Sequence, residues 1–168
     1  MATELYDLTV PAFLRGFGAM SAFLTKSEAW AGEQGIDPAD LLTARLYEDM
    51  APLTAQVQRA SDSAKFTVLR IGGVEAPAMP DEEVTFADLQ ARIAKTVDLL
   101  RWVAPEAMNG QEDKPVTLTT PTRSLEFTGR SYALGFVLPN FYFHLTTAYA
   151  ILRMKGVPLG KLDYLGRA

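Results

Sequence analysis

The chain contains no cysteine and a single histidine, His144. The absence of thiols excludes disulfides, cysteine nucleophiles and thiolate zinc sites. With one imidazole available, any Ser-His-Asp arrangement or histidine-containing metal site would have to be built around His144. The sequence therefore directs every such hypothesis to one position, and it identifies no reaction by itself.

Two classes of partner are disfavoured by charge and hydropathy. The net charge is −4 and no long run of lysine or arginine occurs, which disfavours nucleic acid. No uncharged apolar run of 18 residues occurs, so we expect no membrane span. The first residues, MATELYDLTVPAF, lack a basic region followed by an apolar core, so no signal peptide is expected. These features predict a cytoplasmic protein that binds neither nucleic acid nor membrane.

The length and composition predict one domain over residues 1–168. A chain of 168 residues with 48% hydrophobic residues is long enough to bury a substantial core. The apolar content also excludes a disordered chain, because it can offset the entropy lost on folding.

Hydrophobic spacing predicts two long helices in the first half. The first covers residues 10–31, with Thr9 as its cap and Pro11 in its first turn. The second begins at Asp37 and continues to Gly72 and Gly73. Pro52 lies inside the second segment and is expected to kink or divide it, because proline cannot donate the backbone hydrogen bond.

The second half predicts two more helices and one hairpin. Thr85 and Asp88 have the spacing of a capping box, and Pro105 closes the helix that follows. The segment VTLTTPTRSLEFTG, residues 116–129, is typical of two strands joined by a turn. A strongly apolar helix covers residues 138–156. Together these patterns predict a mainly α protein, a four-helix bundle with a small β-hairpin before the last helix.

Polar residues interrupt the apolar stripes of two predicted helices. Asn140, His144 and Thr147 share one face of the last helix. Asp49 and Gln56 lie on the second helix where leucines would be expected. A buried carboxylate costs several kcal/mol unless it is paired, coordinated or protonated. The candidate core cluster is Asp49, Gln56, Asn140, His144 and Thr147.

Three interpretations of this cluster remain open at this point. The side chains can form a hydrogen-bonded group in the core. Asp49 and His144 can instead be ligands of a divalent metal. The cluster can also line a ligand pocket that holds no metal.

Three segments resemble a known family, and together they extend over nearly the whole chain: PNFYFHLTTAYAILRMKGVPLGKLDYLG, RLYEDMAPL and LYDLTVPAFLRGFGAMSAFL. They are similar to an uncharacterised bacterial domain-of-unknown-function family within the DinB/YfiT-like superfamily, which is regarded as one of metalloenzymes. The resemblance implies a four-helix bundle that is commonly a homodimer.

The resemblance also implies a metal site of one histidine from the second helix and an HxxxH pair on the last. Here the pair reads Asn140-xxx-His144, and Asp49 corresponds best to the second-helix position. Zinc, nickel or iron would accept Asp49 and His144, whereas asparagine is a weak ligand. The sequence thus predicts a dimeric, non-catalytic or small-ligand-binding member with a degraded metal triad. The alternative is a divalent-metal-dependent small-molecule transferase or hydrolase.

Overall fold

Four long helices form the bundle in a computed structural model that describes residues 4–166. They are α1 (Leu5–Gln34), α3 (Leu53–Arg70), α4 (Phe86–Arg101) and α7 (Leu138–Met154), and the short helices are α2 (Pro38–Leu42), α5 (Pro105–Met108), α6 (Gly129–Ser131) and α8 (Lys161–Leu165). Strands β1 (Pro115–Thr119) and β2 (Ser124–Thr128) pair antiparallel, with Val116 opposite Phe127. The predicted mainly α bundle with a hairpin before the last long helix is confirmed.

Helix α7 is held between α1 and α3. Phe141 of α7 packs edge-on against Phe13 and Phe17 of α1, with ring centroids 4.9 and 5.2 Å apart. These three rings are fully buried and belong to one continuous hydrophobic cluster. Helix α3 packs against α7 and α4, so it brings its polar stripe next to His144.

Helix α1 is long and apolar enough to cross a membrane by length and composition alone. Its most apolar window of 18 residues has a mean hydropathy of 1.2, and half of that window is buried inside the fold. A core helix of a bundle needs the same composition, because its apolar face covers neighbouring helices. The expected absence of a membrane span stays a prediction.

The start of α1 differs from the prediction. Thr9 was expected to cap the helix, but its hydroxyl donates to the Leu5 carbonyl at 2.6 Å from inside the helix. The helix gains its extra turn because Leu5 is buried and the Tyr6 amide donates to Asn109 Oδ1 at 3.0 Å. This partner is 103 residues away, so the local sequence could not reveal it.

The segment predicted as the second helix is divided, as Pro52 indicated, but the interruption is wider than one residue. Helix α2 ends at Leu42, and Pro52 is the N-cap residue of α3. The connection is closed by the Leu53 amide, which donates to the Ala44 carbonyl at 3.0 Å. Asp49 therefore lies outside any helix and is exposed. Its predicted place on a buried stripe was wrong, because the helical phase does not continue through residues 43–52.

A π-helix precedes α7 and was not predicted. It covers Tyr132–Val137 and continues directly into Leu138. The wider turn of a π-helix changes the phase of the residues before it, and such segments are frequent at functional sites. Here it turns Tyr132 and Phe136 so that both line the cavity described below.

Gly16 lets α1 and α7 approach each other closely. A Cβ at this position would lie 2.6 Å from Cε1 of Phe141, whose ring is enclosed by buried neighbours. We expect Gly16→Ala to lower the free energy of unfolding by about 1 to 3 kcal/mol, because the added methyl overpacks the interface. Gly18→Ala is the matched control, since a Cβ there has no atom within 4 Å. The control should raise stability by about 0.5 to 1 kcal/mol, and equal urea midpoints for the two variants would contradict this.

Candidate functional site

His144 is hydrogen-bonded to Gln56 across the interface between α7 and α3. Its Nδ1 lies 2.8 Å from Gln56 Oε1, and Gln56 Nε2 donates to the Ala51 carbonyl at 2.9 Å. Because the Gln56 amide nitrogen is the donor to Ala51, its oxygen accepts from His144, and Nδ1 carries the proton. The His144 Nε2 atom therefore has a lone pair.

This lone pair is accessible rather than sealed in the core. Within residues 4–166, Arg92 Nε is the one fully buried side-chain nitrogen or oxygen without a hydrogen-bond partner. His144 Nε2 also has no partner among the described residues, although the whole side chain is only 6% exposed. Nε2 is therefore in contact with solvent.

The imidazole of His144 is neutral at physiological pH. Burial in the bundle, with a smaller contribution from the positive charge of Arg59, lowers its pKa from 6.5 to about 4. Both causes disfavour the charged form of the ring. At pH 7 the site therefore offers a hydrogen-bond acceptor at Nε2 and no positive charge on the ring.

Three hydrogen bonds connect α3 with α7 and the π-helix at positions seven residues apart on α3. Besides the Gln56–His144 bond, Asn140 Nδ2 donates to Ser63 Oγ at 2.8 Å, and Arg70 donates to the Tyr132 hydroxyl. Seven residues are two helical turns, so successive bonds lie about 10 Å apart along one face of α3. These bonds fix the position of α3 along its axis relative to α7 and the π-helix.

A cavity of about 300 Å³ lies along this face. Its lining includes the aromatic rings of Phe66, Tyr132 and Phe136, and the last two are stacked with centroids 5.7 Å apart. Its polar residues are Arg59, Asp62, Ser63, Arg70, Asn140 and His144. The cavity thus combines an apolar wall with a few converging polar groups, as small-molecule sites do.

The structure brings together most of the predicted cluster, but not all of it. Gln56 and His144 are in direct contact, and Asn140 lies one turn before His144 on the cavity wall. Thr147 is buried on α7. Asp49 does not converge with them, because it is exposed on the connection before α3.

Four functional candidates were missed: Arg59, Ser63, Arg70 and Tyr132. A signal for two of them was present in the sequence, because Ser63 and Arg70 continue the seven-residue spacing that starts at Gln56. They were overlooked because serine and arginine are mostly exposed in helices, so their spacing did not draw attention.

The donor set does not fit the divalent metal that the superfamily resemblance implied. His144 Nε2 is one suitable ligand, but Asn140 offers only its amide oxygen, a weak ligand, and Asp49 is exposed on the connection before α3. The carboxylate of Asp62 is already bound by Lys65 and Arg92 at 2.9 and 3.0 Å. Among the described residues, no group of three histidine, aspartate or glutamate side chains could hold an ion. The nearby charge of Arg59 also opposes a cation.

Similarity to known proteins is extensive. The profile of the DUF1993 family, described as a domain of unknown function, matches residues 5–165. The fold is similar to the crystal structure of a DinB family member protein from Shewanella denitrificans, with 38% sequence identity and a TM-score of 0.88. That match covers 98% of this chain and 93% of the other. No curated protein matches this chain.

Proposed function

Because the chain belongs to the DUF1993 family of DinB-like domains of unknown function, we propose its role from its own cavity: it binds a small molecule without a metal. The observation that carries this proposal is the state of His144, whose ring is neutral, held by Gln56 and open at Nε2. The fold already fixes the orientation of this buried acceptor, so a ligand that binds it loses little free energy in ordering the side chain. The aromatic wall supplies the apolar surface that a ligand would cover.

A non-catalytic role fits the same geometry better than the metal-dependent transferase or hydrolase. Among the described residues that line the cavity, His144 is the one strong metal ligand that is not already engaged, because the Asp62 carboxylate pairs with Lys65 and Arg92. The carboxylate of Asp62, the other potential base among the described residues of the lining, is held by two cations. A cytoplasmic location stays a prediction from the sequence.

His144 provides a direct test, because its ring signals are unique in the NMR spectrum of a chain with one histidine. A general library of small fragments should contain compounds that shift the His144 ring signals at millimolar concentration or below. The shifts should be absent when Phe136→Trp narrows the cavity. A library that leaves these ring signals unchanged would refute a ligand site here.

We also propose a homodimer that uses the outer face of α7. Phe143 and Met154 are 54% and 51% exposed, and their spacing of eleven residues places them on one stripe of the helix. Neighbouring residues on a helix point about 100° apart, so the three aromatic residues of the run 141–143 cannot all face the core. Only Phe143 of the run 141–143 is exposed, because Phe141 is buried and Tyr142 is half-buried.

Phe143→Glu is expected to convert the dimer into a monomer at micromolar concentration, because a charge would be desolvated at the centre of the interface. Trp102→Glu is the matched control, since Trp102 is 87% exposed at the end of α4 and should not affect association. Sedimentation velocity measures both masses. A wild-type protein that sediments as a monomer would reject the dimer.

A further inference from the structure

We propose that the cavity beside His144 binds an organic carboxylate that carries a hydroxyl group next to the carboxylate and a body of about one aromatic ring. This inference rests on the proposed function and specifies its ligand. Its three parts come from the charge of the cavity, from the hydrogen-bonding state of its neutral side chains and from the shape of its apolar wall.

The carboxylate follows from the charges in the cavity, which are those of Arg59, Asp62 and Arg70. The charge of Asp62 is balanced by Lys65, and Asp62 also pairs with Arg92, a cation that it shares with Asp81 and Glu83. The guanidinium of Arg59 forms no hydrogen bond or ion pair with any residue between 4 and 166, although Arg59 lines the cavity. In a chain with a net charge of −4, this leaves a local excess of positive charge. An anion could therefore pair with the Arg59 guanidinium without first breaking an existing ion pair or hydrogen bond.

Arg59 is a better carboxylate-binding residue than Arg70. The Arg70 guanidinium donates to the Tyr132 hydroxyl and lies over the Phe66 ring at 4.6 Å. These contacts fix it as part of the wall, whereas Arg59 is exposed at the cavity edge and can close over an arriving anion. A planar guanidinium can donate two parallel hydrogen bonds to a carboxylate.

The hydroxyl group of the proposed ligand is inferred from two acceptors in the cavity that receive no hydrogen bond from the described residues. His144 Nε2 has a lone pair, and the Asn140 amide donates through Nδ2 to Ser63, which leaves its Oδ1 as an acceptor. Arg59 is close enough to His144 to lower the pKa of the ring, so the cation and the acceptor act on the same region. A ligand that presents only a carboxylate would satisfy Arg59 and leave these acceptors unmatched. A neighbouring hydroxyl donates the missing hydrogen bond.

The size of the body follows from the wall and the volume. Phe66 and the stacked pair of Tyr132 and Phe136 line the same cavity. An engineered apolar cavity of about 150 Å³ is filled by benzene, and this one measures about 300 Å³. It therefore has room for one ring together with a short side chain that carries the carboxylate and the hydroxyl.

Phenyllactate has these three features and serves as the probe, with matched compounds that each lack one. Phenyllactamide lacks the charge, and 3-phenylpropionate lacks the hydroxyl. We expect phenyllactate to bind with shifts of the His144 ring signals, and phenyllactamide to bind at least about tenfold more weakly. The compound without the hydroxyl should bind several-fold more weakly than phenyllactate.

Two variants assign these differences to their residues. Arg59→Gln should weaken phenyllactate about tenfold and leave phenyllactamide unchanged. Its control is Arg123→Gln, which removes the same charge from the exposed turn between β1 and β2 and should change nothing. His144→Asn keeps a donor for Gln56 but removes the Nε2 acceptor. Binding to this variant, which has no histidine signal, is followed by calorimetry. Phenyllactate should lose most of its advantage over 3-phenylpropionate, with Asn140 Oδ1 as the remaining acceptor.

The outcomes separate this inference from the proposed function. If phenyllactamide binds as tightly as phenyllactate, or if Arg59→Gln has no effect, the anionic ligand is refuted and a neutral ligand of the cavity remains. If none of the three probes shifts the His144 signals while fragments of the general library do, this ligand class is wrong and the binding function stands. If neither set shifts them, both proposals fail together.

Discussion

Arg92→Ala is expected to lower the free energy of unfolding by about 3 kcal/mol, because it removes a buried guanidinium and leaves the half-buried carboxylate of Glu83 without its cation, whereas Asp62 keeps Lys65. Arg92 is 4% exposed, and its guanidinium pairs with Asp62 and Glu83 at 3.0 Å and with Asp81 at 2.9 Å. These contacts join α3 to α4 and to the connection between them. Urea denaturation of the variant and the wild type measures the difference.

The pKa of Glu83 gives a second measure of the same substitution. Burial raises the pKa of this carboxyl, but hydrogen bonds from Gln58 and Arg92 outweigh that effect, so the net shift is downward. Loss of Arg92 removes both its hydrogen bond and its positive charge, each of which lowers the pKa of Glu83, so this pKa should rise. The free energy of unfolding of the variant should therefore differ most from the wild type above the range in which Glu83 is protonated.

Asp81→Asn is the matched control for the Arg92 substitution. The Asp81 side chain is 59% exposed, although its oxygen is as close to Arg92 as the others are. Solvent screens an exposed pair, so its loss should cost no more than about 1 kcal/mol. If Arg92→Ala and Asp81→Asn lose the same amount of stability, the pairs of Arg92 with Asp62 and Glu83 contribute no more than its exposed pair with Asp81.

Local sequence signals were sufficient for the helix boundaries that depend on neighbouring residues. Thr85 and Asp88 form the capping box that their spacing predicted, and α4 ends before Pro105. The hairpin was placed within one residue of its strands, because alternating β-favouring residues flank a proline-containing turn. Such signals work because the interactions behind them span three or four residues.

Boundaries that depend on distant partners could not be read in the same way. The first turn of α1 is supported by Asn109, far along the chain. Asp49 was misplaced because the stripe was extended through Pro52, whereas the connection there folds on itself through Arg45, which donates to the Met50 carbonyl at 2.7 Å. Periodicity has meaning only while the helix is continuous.

Helical spacing also predicted only part of the site, because it gives the face of a helix on which a residue lies and nothing more. Spacing placed Gln56 and His144 on the inner faces of their helices, and they are hydrogen-bonded. Spacing does not state the level at which two helices meet, so it could not choose between Asp49 and Gln56 as the partner of His144. The three hydrogen bonds along α3 set the level at which α3 meets α7 and the π-helix, and the close contact at Gly16 sets the level of α7 against α1.

The wild-type protein is expected to lose about 3 kcal/mol of stability as the pH falls from 6.5 to 4, through His144 alone. The pKa of His144 is 6.5 in the unfolded chain and about 4 in the folded one. Between these values the unfolded state binds a proton that the folded state refuses, so stability falls as the pH falls. Below pH 4 both states are protonated and the loss is complete.

His144→Asn isolates this contribution, because asparagine can still donate to Gln56 but does not titrate. The difference in unfolding free energy between the two proteins should change with pH only between 6.5 and 4. Asp88 and Asp163, whose pKa values are lowered by hydrogen bonds, lose their contributions at lower pH and do so equally in both proteins. Parallel curves of urea midpoint against pH would disprove the assigned pKa.

The substitution Arg59→Gln separates the two causes of the low pKa of His144. Burial is the larger reason for the low pKa of His144 and the charge of Arg59 the smaller one. Removal of that charge should therefore raise the pKa of His144 but leave it below 6.5, and the pH window of instability should narrow from its acidic end. NMR titration of the single imidazole measures this pKa directly. A value that returns to 6.5 in the variant would mean that Arg59, and not burial, keeps the ring neutral and ready to accept a hydrogen bond.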